Sequence, residues 1–236
     1  MSLHMKRLTT PKSWGMERKT AYWAPKPSPG PHPVEMGVPL VVVLRDMIMC
    51  CDTAREAKRI IGAREVLVDG KITTDPKRPI GIMDILTIPK TKENFRMMVD
   101  RRGKLRLVRI GDDEAKWKLG RIERKTSSKN GKYQITLHDG RNLLLDKSQY
   151  KTGDVLKIEV PSQKIVGKYP LEKGFMALLT AGSHVGEVRK VKGYLVSHNP
   201  KANMVEFEDG GSTVKQNVFI VGKDSPDVKL PEVSVV

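Results

Sequence analysis

Cysteine is scarce in this sequence, and long apolar runs are missing from it. The only two cysteines, Cys50 and Cys51, are adjacent, which is too few for a four-cysteine zinc site and unsuited to an unstrained disulfide. We expect both to be reduced residues of a helix. No apolar run is longer than that from Leu40 to Leu44, which is far shorter than the ~18 to 20 residues that span a membrane. A zinc module, a disulfide scaffold and a helical membrane protein are therefore disfavoured.

Signatures of enzymes are also missing. The phosphate-binding, dinucleotide-binding, serine-hydrolase and zinc-protease motifs do not occur. We expect none of the five histidines to bind a metal, because single histidines usually serve as surface or packing residues. They are well separated in sequence, at His4, His32, His138, His184 and His198. We predict no catalytic residue, no metal site, no cofactor and no small-molecule substrate.

Acidic residues are outnumbered, 27 against 43 lysines and arginines, for a formal net charge of +16. Such a charge predicts a polyanionic partner, and nucleic acid is the first choice. A membrane surface would call for a basic amphipathic helix or a lipidation signal, and neither is present. No apolar secretory segment follows the basic residues near Met1. We therefore expect a cytosolic protein, without membrane association and without a homo-oligomeric state.

The positive charge is unevenly distributed. Residues 1–37 carry 6 bases and 2 acids, 38–90 carry 9 and 7, 91–170 carry 20 and 10, and 171–236 carry 8 and 8. The excess of bases in the first and third segments predicts that the basic residues are concentrated on one part of the surface, and scattered surface lysines are the alternative.

Residues 1–37 form a basic extension that contains six prolines and no apolar periodicity. Such a segment cannot build its own core, and we expect it to become ordered on RNA. Aromatic residues between cations favour RNA binding, because the cations bind phosphates and the rings stack on exposed bases. Packing of Trp14 and Trp23 onto the next domain is the open alternative. The candidate RNA contacts here are Lys6, Arg7, Lys12 and Trp14.

Residues 38–90 have an αα-then-β pattern. Leu40 to Met49 predicts one helix, and Thr53 with Glu56 has the capping-box spacing that begins a second helix, which Gly62 can end. At 100° per residue, the second helix has one apolar face and one cationic face. A hairpin at Asp69-Gly70 and a strand from Asp84 to Ile88 are predicted to follow.

Residues 91–170 predict a small all-β domain. Asn130-Gly131 and Asp139-Gly140 are hairpin signals, and residues 133–138 alternate between apolar and polar as a half-buried strand does. Cations in loops and hairpins of a rigid sheet are candidate phosphate contacts. They are Arg101, Arg102, Lys104, Lys116 and Lys118, with a further cluster at Arg121, Arg124 and Lys125.

Residues 171–236 predict a last β module. A strand containing Val185, Val188 and Val191 is followed by a second strand and turn over 205–210. This pattern resembles a KOW motif, which is found in SH3-like barrels of translation and transcription proteins. The candidate RNA contacts are Arg189, Lys190 and Lys192, although a barrel that packs only against protein is the alternative.

The blocks 44–46, 53–61 and 66–71 resemble the alpha-L RNA-binding module. The resemblance implies that two helices and the following turn contact RNA, and it nominates Arg45, Arg55, Lys58, Arg59 and Lys71. Asp69 departs from the many members with asparagine before the glycine, which keeps the turn and alters its charge. In RNA-modifying enzymes with such modules, the catalytic aspartate lies in a separate domain. We therefore expect Asp46 to position Arg45 or its own helix by charge pairing.

The order of the blocks is more specific than any one of them. The basic start 4–8, the proline-rich run 25–32, the alpha-L module, the blocks 92–96 and 137–142, the KOW motif and the block 217–223 follow one another. This order is similar to the archaeal and eukaryotic type of the small-subunit ribosomal protein four family. The resemblance implies a structural constituent of the ribosome that binds small-subunit ribosomal RNA beside neighbouring small-subunit proteins.

We therefore predict an α+β chain, predominantly β, with four modules: the extension 1–37, the alpha-L module 38–90, the central β domain 91–170 and an SH3-like barrel with the tail over 171–236. An RNA-modifying enzyme relative, an assembly factor or a transcription accessory factor that uses the same modules is the alternative function.

Overall fold

The computed structural model describes residues 4–128, 131–146, 149–197, 199–200 and 202–231. The described residues of 1–118, 160–162 and 230–236 form one compact unit, and those of 119–159 and 163–229 form a second. The boundary at 118 lies inside the predicted central domain. In the described residues no helix is both long enough and apolar enough to cross a membrane.

The first unit is built around a five-stranded antiparallel sheet. Its strand order is β5-β4-β7-β8-β9. The strands are β4 (Leu67–Val68), β5 (Lys71–Ile72), β7 (Ile85–Ile88), β8 (Glu93–Val99) and β9 (Leu105–Ile110). Two strand pairs accompany it, formed by β1 (Met5–Lys6) with β2 (Trp23–Ala24) and by β3 (Gly37–Pro39) with β6 (Pro79–Gly81). The sheet therefore continues past residue 90, the predicted end of the alpha-L module.

The two predicted helices of this module are present. Helix α1 (Leu40–Val42) continues into a wider π-helical stretch, Val43–Ile48. Helix α2 (Ala54–Gly62) begins with the predicted capping box, in which the Glu56 amide donates to Thr53 Oγ1 at 3.2 Å. The helix ends at Gly62, as predicted, but Gly62 does not adopt the left-handed conformation. The left-handed turn after the helix falls on Arg64, with φ of 61°.

The core of the first unit joins the helices, the sheet and the amino-terminal extension. Trp14 is only 2% exposed and packs with buried residues of the module that include Leu40 and Ile61. The Trp14 indole also donates to the Val34 carbonyl at 3.3 Å. The extension thus contributes to a core that it cannot form alone.

The second unit contains two five-stranded antiparallel sheets. The first has the order β12-β11-β10-β13-β14. Its strands are β10 (Trp117–Ser127), whose first two residues belong to the first unit, β11 (Tyr133–Leu137), β12 (Asn142–Leu145), β13 (Val155–Glu159) and β14 (Ile165–Tyr169). Residues 133–137 form a strand as predicted, with Ile135 and Leu137 buried. The predicted turn at Asp139-Gly140 is present, with Gly140 at φ 75°. Asn130 of the other predicted turn lies outside the described residues.

The second sheet has the order β18-β17-β16-β15-β19. Its strands are β15 (Met176–Leu179), β16 (Val188–Leu195), β17 (Met204–Phe207), β18 (Ser212–Val214) and β19 (Val218–Gly222). Val185 precedes β16, which corrects the predicted start of that strand. The predicted second strand and turn are confirmed, since β17 leads into Gly210 at φ 85°. Short 3-10 helices occur at Arg7–Thr9, Glu114–Lys116 and Lys215–Asn217. The chain is thus α+β and predominantly β.

Candidate nucleic-acid interface

Helix α2 has one buried face and one cationic face. Ala57 and Ile61 are fully buried. Arg55, Lys58 and Arg59 are exposed. The separation follows from the helical repeat, because the apolar side must cover the core and the charged side must remain in water. Three cations are therefore presented together on one rigid element.

The start of α2 is held by reciprocal hydrogen bonds. The carboxylate of Glu56 accepts from the Asp52 amide at 3.0 Å and from the Thr53 amide at 3.3 Å. These two backbone hydrogen bonds, with a smaller contribution from the Thr53 side chain, lower the pKa of Glu56 below its usual value. An acid at the first turn also suits the helix dipole. The cationic face is thus placed on a helix with a fixed beginning.

The turn after β4 places Lys71 at the surface. Asp69 and Gly70 both have positive φ, 50° and 69°, as the predicted tight hairpin requires. The Asp69 carboxylate is buried, and its Oδ1 accepts from the Ile85 amide at 3.0 Å. The departure from asparagine at this position thus places a negative charge inside the unit.

Lys118 balances the charge of Asp69. The Lys118 side chain is 0% exposed, and its ammonium lies 2.8 Å from Asp69 Oδ2 and 3.0 Å from Asp84 Oδ1. Asp84 Oδ2 also lies 2.8 Å from His32 Nε2 and accepts from the Gly81 amide. Burial acts to raise the pKa of Asp84, but the charges of His32 and Lys118 hold it well below its usual value. The prediction that Lys118 contacts RNA is wrong, because its ammonium is enclosed within the unit.

Arg96 is a second buried cation. Its side chain is 0% exposed, and its guanidinium lies 4.6 Å from the centre of the Trp117 ring. It donates to the carbonyls of Glu114 at 2.8 Å and of Trp117 at 2.9 Å. Burial lowers the pKa of Arg96 to about 10. Part of the net positive charge therefore stabilises the interior and is not available to a ligand.

Arg45 is paired as the sequence predicted. Its guanidinium donates to both carboxylate oxygens of Asp46, at 3.0 and 2.7 Å. This hydrogen bonding raises the pKa of Arg45. Both side chains are 19% exposed, so Arg45 offers only part of its guanidinium to a ligand.

In the extension, the exposed aromatic residues are Tyr22 and Trp23, and not Trp14, which the sequence analysis proposed as an RNA contact. Trp14 is buried, and Arg7 is 7% exposed with its Nε donating to the Glu17 carbonyl. Both are therefore corrected to structural residues. Tyr22 and Trp23 are 63% and 56% exposed and pack edge to face, with ring centres 4.8 Å apart. Lys6 Nζ lies 5.4 Å from the centre of the Tyr22 ring. Both tryptophans lie between cations in the sequence, which contains no signal that favours Trp23 over Trp14.

The remaining predicted cations differ in exposure. Lys12, Arg101, Arg102, Lys116, Lys190 and Lys192 are exposed, whereas Lys104 and Arg189 are half-buried. Lys116 pairs with Asp113 at 2.8 Å, and Arg189 pairs with Glu187 at 2.7 Å. In the first unit the structure brings Arg55, Lys58 and Arg59 onto one face, while Arg189, Lys190 and Lys192 belong to strand β16 of the second unit. The predicted contacts are thus divided between the two units.

All four histidines in the described residues have partners: His4 lies beside the Trp23 ring, and His184 Nδ1 lies 3.5 Å from Glu187. His138 Nδ1 accepts from the Arg121 amide at 3.2 Å, and its ring packs edge to face on Phe219. His32 is buried beside Asp84. His198 lies outside the described residues.

Comparison with known proteins identifies the family. Three family models match: the RS4NT (NUC023) domain over residues 1–35, the S4 domain over 38–86 and the ribosomal family S4e over 91–165. The small ribosomal subunit protein eS4 of Methanothermobacter thermautotrophicus is 40% identical over 97% of this chain and 96% of that protein. That of Archaeoglobus fulgidus is 38% identical over 100% of both chains.

A solved structure has the same fold. The crystal structure of the 30S ribosomal protein S4e from Thermoplasma acidophilum matches with a TM-score of 0.70 and 33% sequence identity, covering 80% of this chain and 96% of that chain. None of these relatives is named as an RNA-modifying enzyme or a transcription factor, so the alternative functions gain no support. Because relatives of about 40% identity span nearly the whole sequence, this chain belongs to the family of small ribosomal subunit protein eS4.

Proposed function

We propose that this protein is a non-enzymatic, structural constituent of the small ribosomal subunit that binds small-subunit ribosomal RNA through the cationic face of α2. The observation that carries the proposal is the exposure of Arg55, Lys58 and Arg59 on a helix whose opposite face is buried. The relatives that cover the whole chain are small ribosomal subunit proteins. Its location is then the cytoplasmic ribosome, beside neighbouring small-subunit proteins.

The helix has the properties of a phosphate-binding element. None of its three cations takes part in an ion pair within the described part of the chain, so binding a phosphate breaks no existing pair. Side chains on consecutive turns of a helix can follow a phosphate backbone, and the backbone contacts set affinity and register. Lys71 is exposed on the following hairpin and extends the set.

Tyr22 and Trp23 supply a different kind of contact. Exposed rings beside a lysine stack on unpaired bases, while the ammonium meets the phosphate. We therefore assign Lys6, Tyr22 and Trp23 to an unpaired RNA segment, in place of the buried Arg7 and Trp14.

Charge reversal on α2 tests the proposal. The triple variant Arg55→Glu, Lys58→Glu and Arg59→Glu should weaken binding to a small-subunit RNA transcript in a filter-binding titration. The slope of log affinity against log salt should fall by about 0.9 for each phosphate that the variant no longer neutralises, on the duplex estimate. Circular dichroism should show an unchanged helix, since glutamate is a good helix former.

A matched control separates local contacts from net charge. The variant Lys164→Glu, Lys173→Glu and Lys223→Glu makes the same change of charge at exposed positions of the second unit. It should weaken RNA binding less than the α2 variant. Equal losses from both variants, or an unchanged salt slope in the folded α2 variant, would remove α2 from the interface.

The cellular role is tested by sedimentation of the endogenous protein at high salt. Stoichiometric retention on the small subunit is the expected result. A protein that remains at the top of the gradient, or that washes off a substoichiometric complex, would contradict a structural role in the subunit.

A further inference from the structure

The second unit contains an open groove, and Lys125 is the one lining residue that the sequence analysis named as a candidate phosphate contact. Its cavity volume is about 680 Å³, within the ~300 to 1,000 Å³ typical of ligand sites. Four lysines and two tyrosines contribute to its wall: Lys125, Tyr150, Lys151, Lys168, Tyr194 and Lys215.

A buried carboxylate holds one wall of the groove in place. Asp154 accepts from the Lys151 amide at 3.0 Å and from the Leu171 amide at 3.1 Å, and it pairs with Lys168 at 3.0 Å. The Asp154 side chain is only 4% exposed, and its charge is largely neutralised by Lys168. The loop before β13 is therefore tied to the segment after β14.

Lys215 is held against the same loop. Its ammonium donates to Thr152 Oγ1 at 2.9 Å. Gly153 has φ of +94°, and a Cβ at this position would lie 2.5 Å from Lys215 Cε. A side chain at position 153 would thus displace the lysine, and the absence of one lets Lys215 lie across the loop.

Two tyrosine rings lie beside these cations. Lys168 Nζ is 5.5 Å from the centre of the Tyr150 ring, and Lys215 Nζ is 5.1 Å from the centre of the Tyr194 ring. The Tyr194 hydroxyl accepts from the Asn203 side-chain amide at 2.6 Å, which fixes the ring. Both rings are half-buried and are held by the fold before any ligand binds.

We propose that this groove binds an unpaired segment of RNA, with phosphates on the lysines and bases on Tyr150 and Tyr194. The four lysines outnumber the two lining acids, Asp154 and Glu172. Cations combined with aromatic rings are the arrangement that binds single strands with little sequence preference. An acidic peptide would use the lysines but has no need of two held rings. The inference rests on the proposed function, because it assigns a second RNA contact to an RNA-binding chain.

The test uses the full chain and a fluorescent single-stranded hexauridylate in an anisotropy titration. The variant Tyr150→Leu and Tyr194→Leu should weaken binding about tenfold for each ring that stacks on a base. The variant Lys151→Gln and Lys215→Gln should reduce the salt slope by about 0.7 for each phosphate that it no longer neutralises. The matched variant Lys164→Gln and Lys223→Gln, which lies outside the groove, should change neither quantity.

A second measurement covers the case in which the tyrosine variant is destabilised. Hexauridylate is crosslinked to the wild-type chain by ultraviolet light, and the crosslinked peptides are identified by mass spectrometry. Peptides that contain Tyr150 or Tyr194 are the expected products. Crosslinks confined to other peptides would overturn the proposal whatever the variants do.

The remaining outcomes separate this inference from the proposed function. Unchanged hexauridylate binding in the folded groove variants, with weakened transcript binding in the α2 variant, refutes the groove and leaves the α2 interface. Weakened hexauridylate binding in the groove variants, with unchanged transcript binding in the folded α2 variant, refutes the α2 interface and supports the groove. Tighter binding of a polyglutamate peptide than of hexauridylate, lost in the lysine variant, would make the groove a protein-binding site and overturn the RNA assignment.

Discussion

Replacing Lys118 with methionine should strongly destabilise the first unit. The side chain is 0% exposed, and its ammonium makes ion pairs of 2.8 and 3.0 Å with Asp69 and Asp84, whose side chains are 3% and 2% exposed. Methionine preserves most of the volume but leaves two buried carboxylates without this partner. Removing one member of a buried ionic set costs about 3–5 kcal/mol. A typical domain is stable by only about 5–15 kcal/mol, so the loss should be a large share of the total.

Tryptophan fluorescence can measure this loss in one unit alone. All three tryptophans, Trp14, Trp23 and Trp117, belong to the first unit. Urea titration followed by fluorescence should show the midpoint of Lys118→Met shifted far below that of wild type with a similar slope. In a thermal scan the midpoint should fall by roughly 10 °C or more.

Two further variants identify the cause. Lys116→Met removes an exposed lysine two residues away and should leave the midpoint unchanged, since exposed pairs contribute little. Adding Asp69→Asn and Asp84→Asn to Lys118→Met should restore part of the stability, because the unpaired carboxylates are then neutral. A loss below about 1 kcal/mol for Lys118→Met would refute the buried ionic set. At a temperature where the variant is folded, its salt slope for RNA should equal that of wild type.

Three other predictions follow from local features. The pKa of Asp84 is lowered in the folded state, so its ionised form stabilises the fold above the usual pKa of 3.8, and this stabilisation is lost as the pH falls through the lowered value. In thermal scans between pH 6 and 2 the melting temperature of wild type should therefore fall more steeply than that of Asp84→Asn. Parallel curves would contradict this. Thr53→Ala removes the cap of α2 and should cost about 1 kcal/mol in urea titration, whereas Thr53→Ser should restore the stability. Burial raises the pKa of both thiols, that of Cys51 to about 11, and Cys51 is buried whereas Cys50 is exposed. Alkylation at pH 8 followed by mass spectrometry should therefore label Cys50 first, and equal rates would argue against the buried thiol.

Local sequence patterns were sufficient to predict features that lie within a single helix, turn or strand. The capping box at Thr53 and Glu56, the two faces of α2, the turn at Asp69-Gly70 and the alternation over 133–137 all occur in the structure. Each depends on residues within one or two turns of the chain, so spacing alone carries the information. The end of α2 at Gly62 was also predicted, but the left-handed turn after it was not, because Arg64 and not a glycine adopts that conformation.

The exposure of individual cations and aromatic rings could not be predicted from their spacing along the sequence. Lys116 and Lys118 are two residues apart, yet the first is exposed and the second is enclosed. Trp14 and Trp23 occur in the same basic extension, yet only Trp14 enters the core. Each difference depends on partners that are remote in sequence, such as Asp69 and Asp84 for Lys118.

Composition and helical periodicity were sufficient to predict a basic chain and the cationic face of α2, because both are properties of residues that are close together in the sequence. Which charges are accessible to a ligand depends instead on the tertiary structure. It placed Lys118 and Arg96 inside the first unit, and it assembled a lysine and tyrosine groove in the second unit from residues between 125 and 215. Burial and electrostatic pairing depend on distances in space, and these are set by the folded chain and not by the spacing along the sequence.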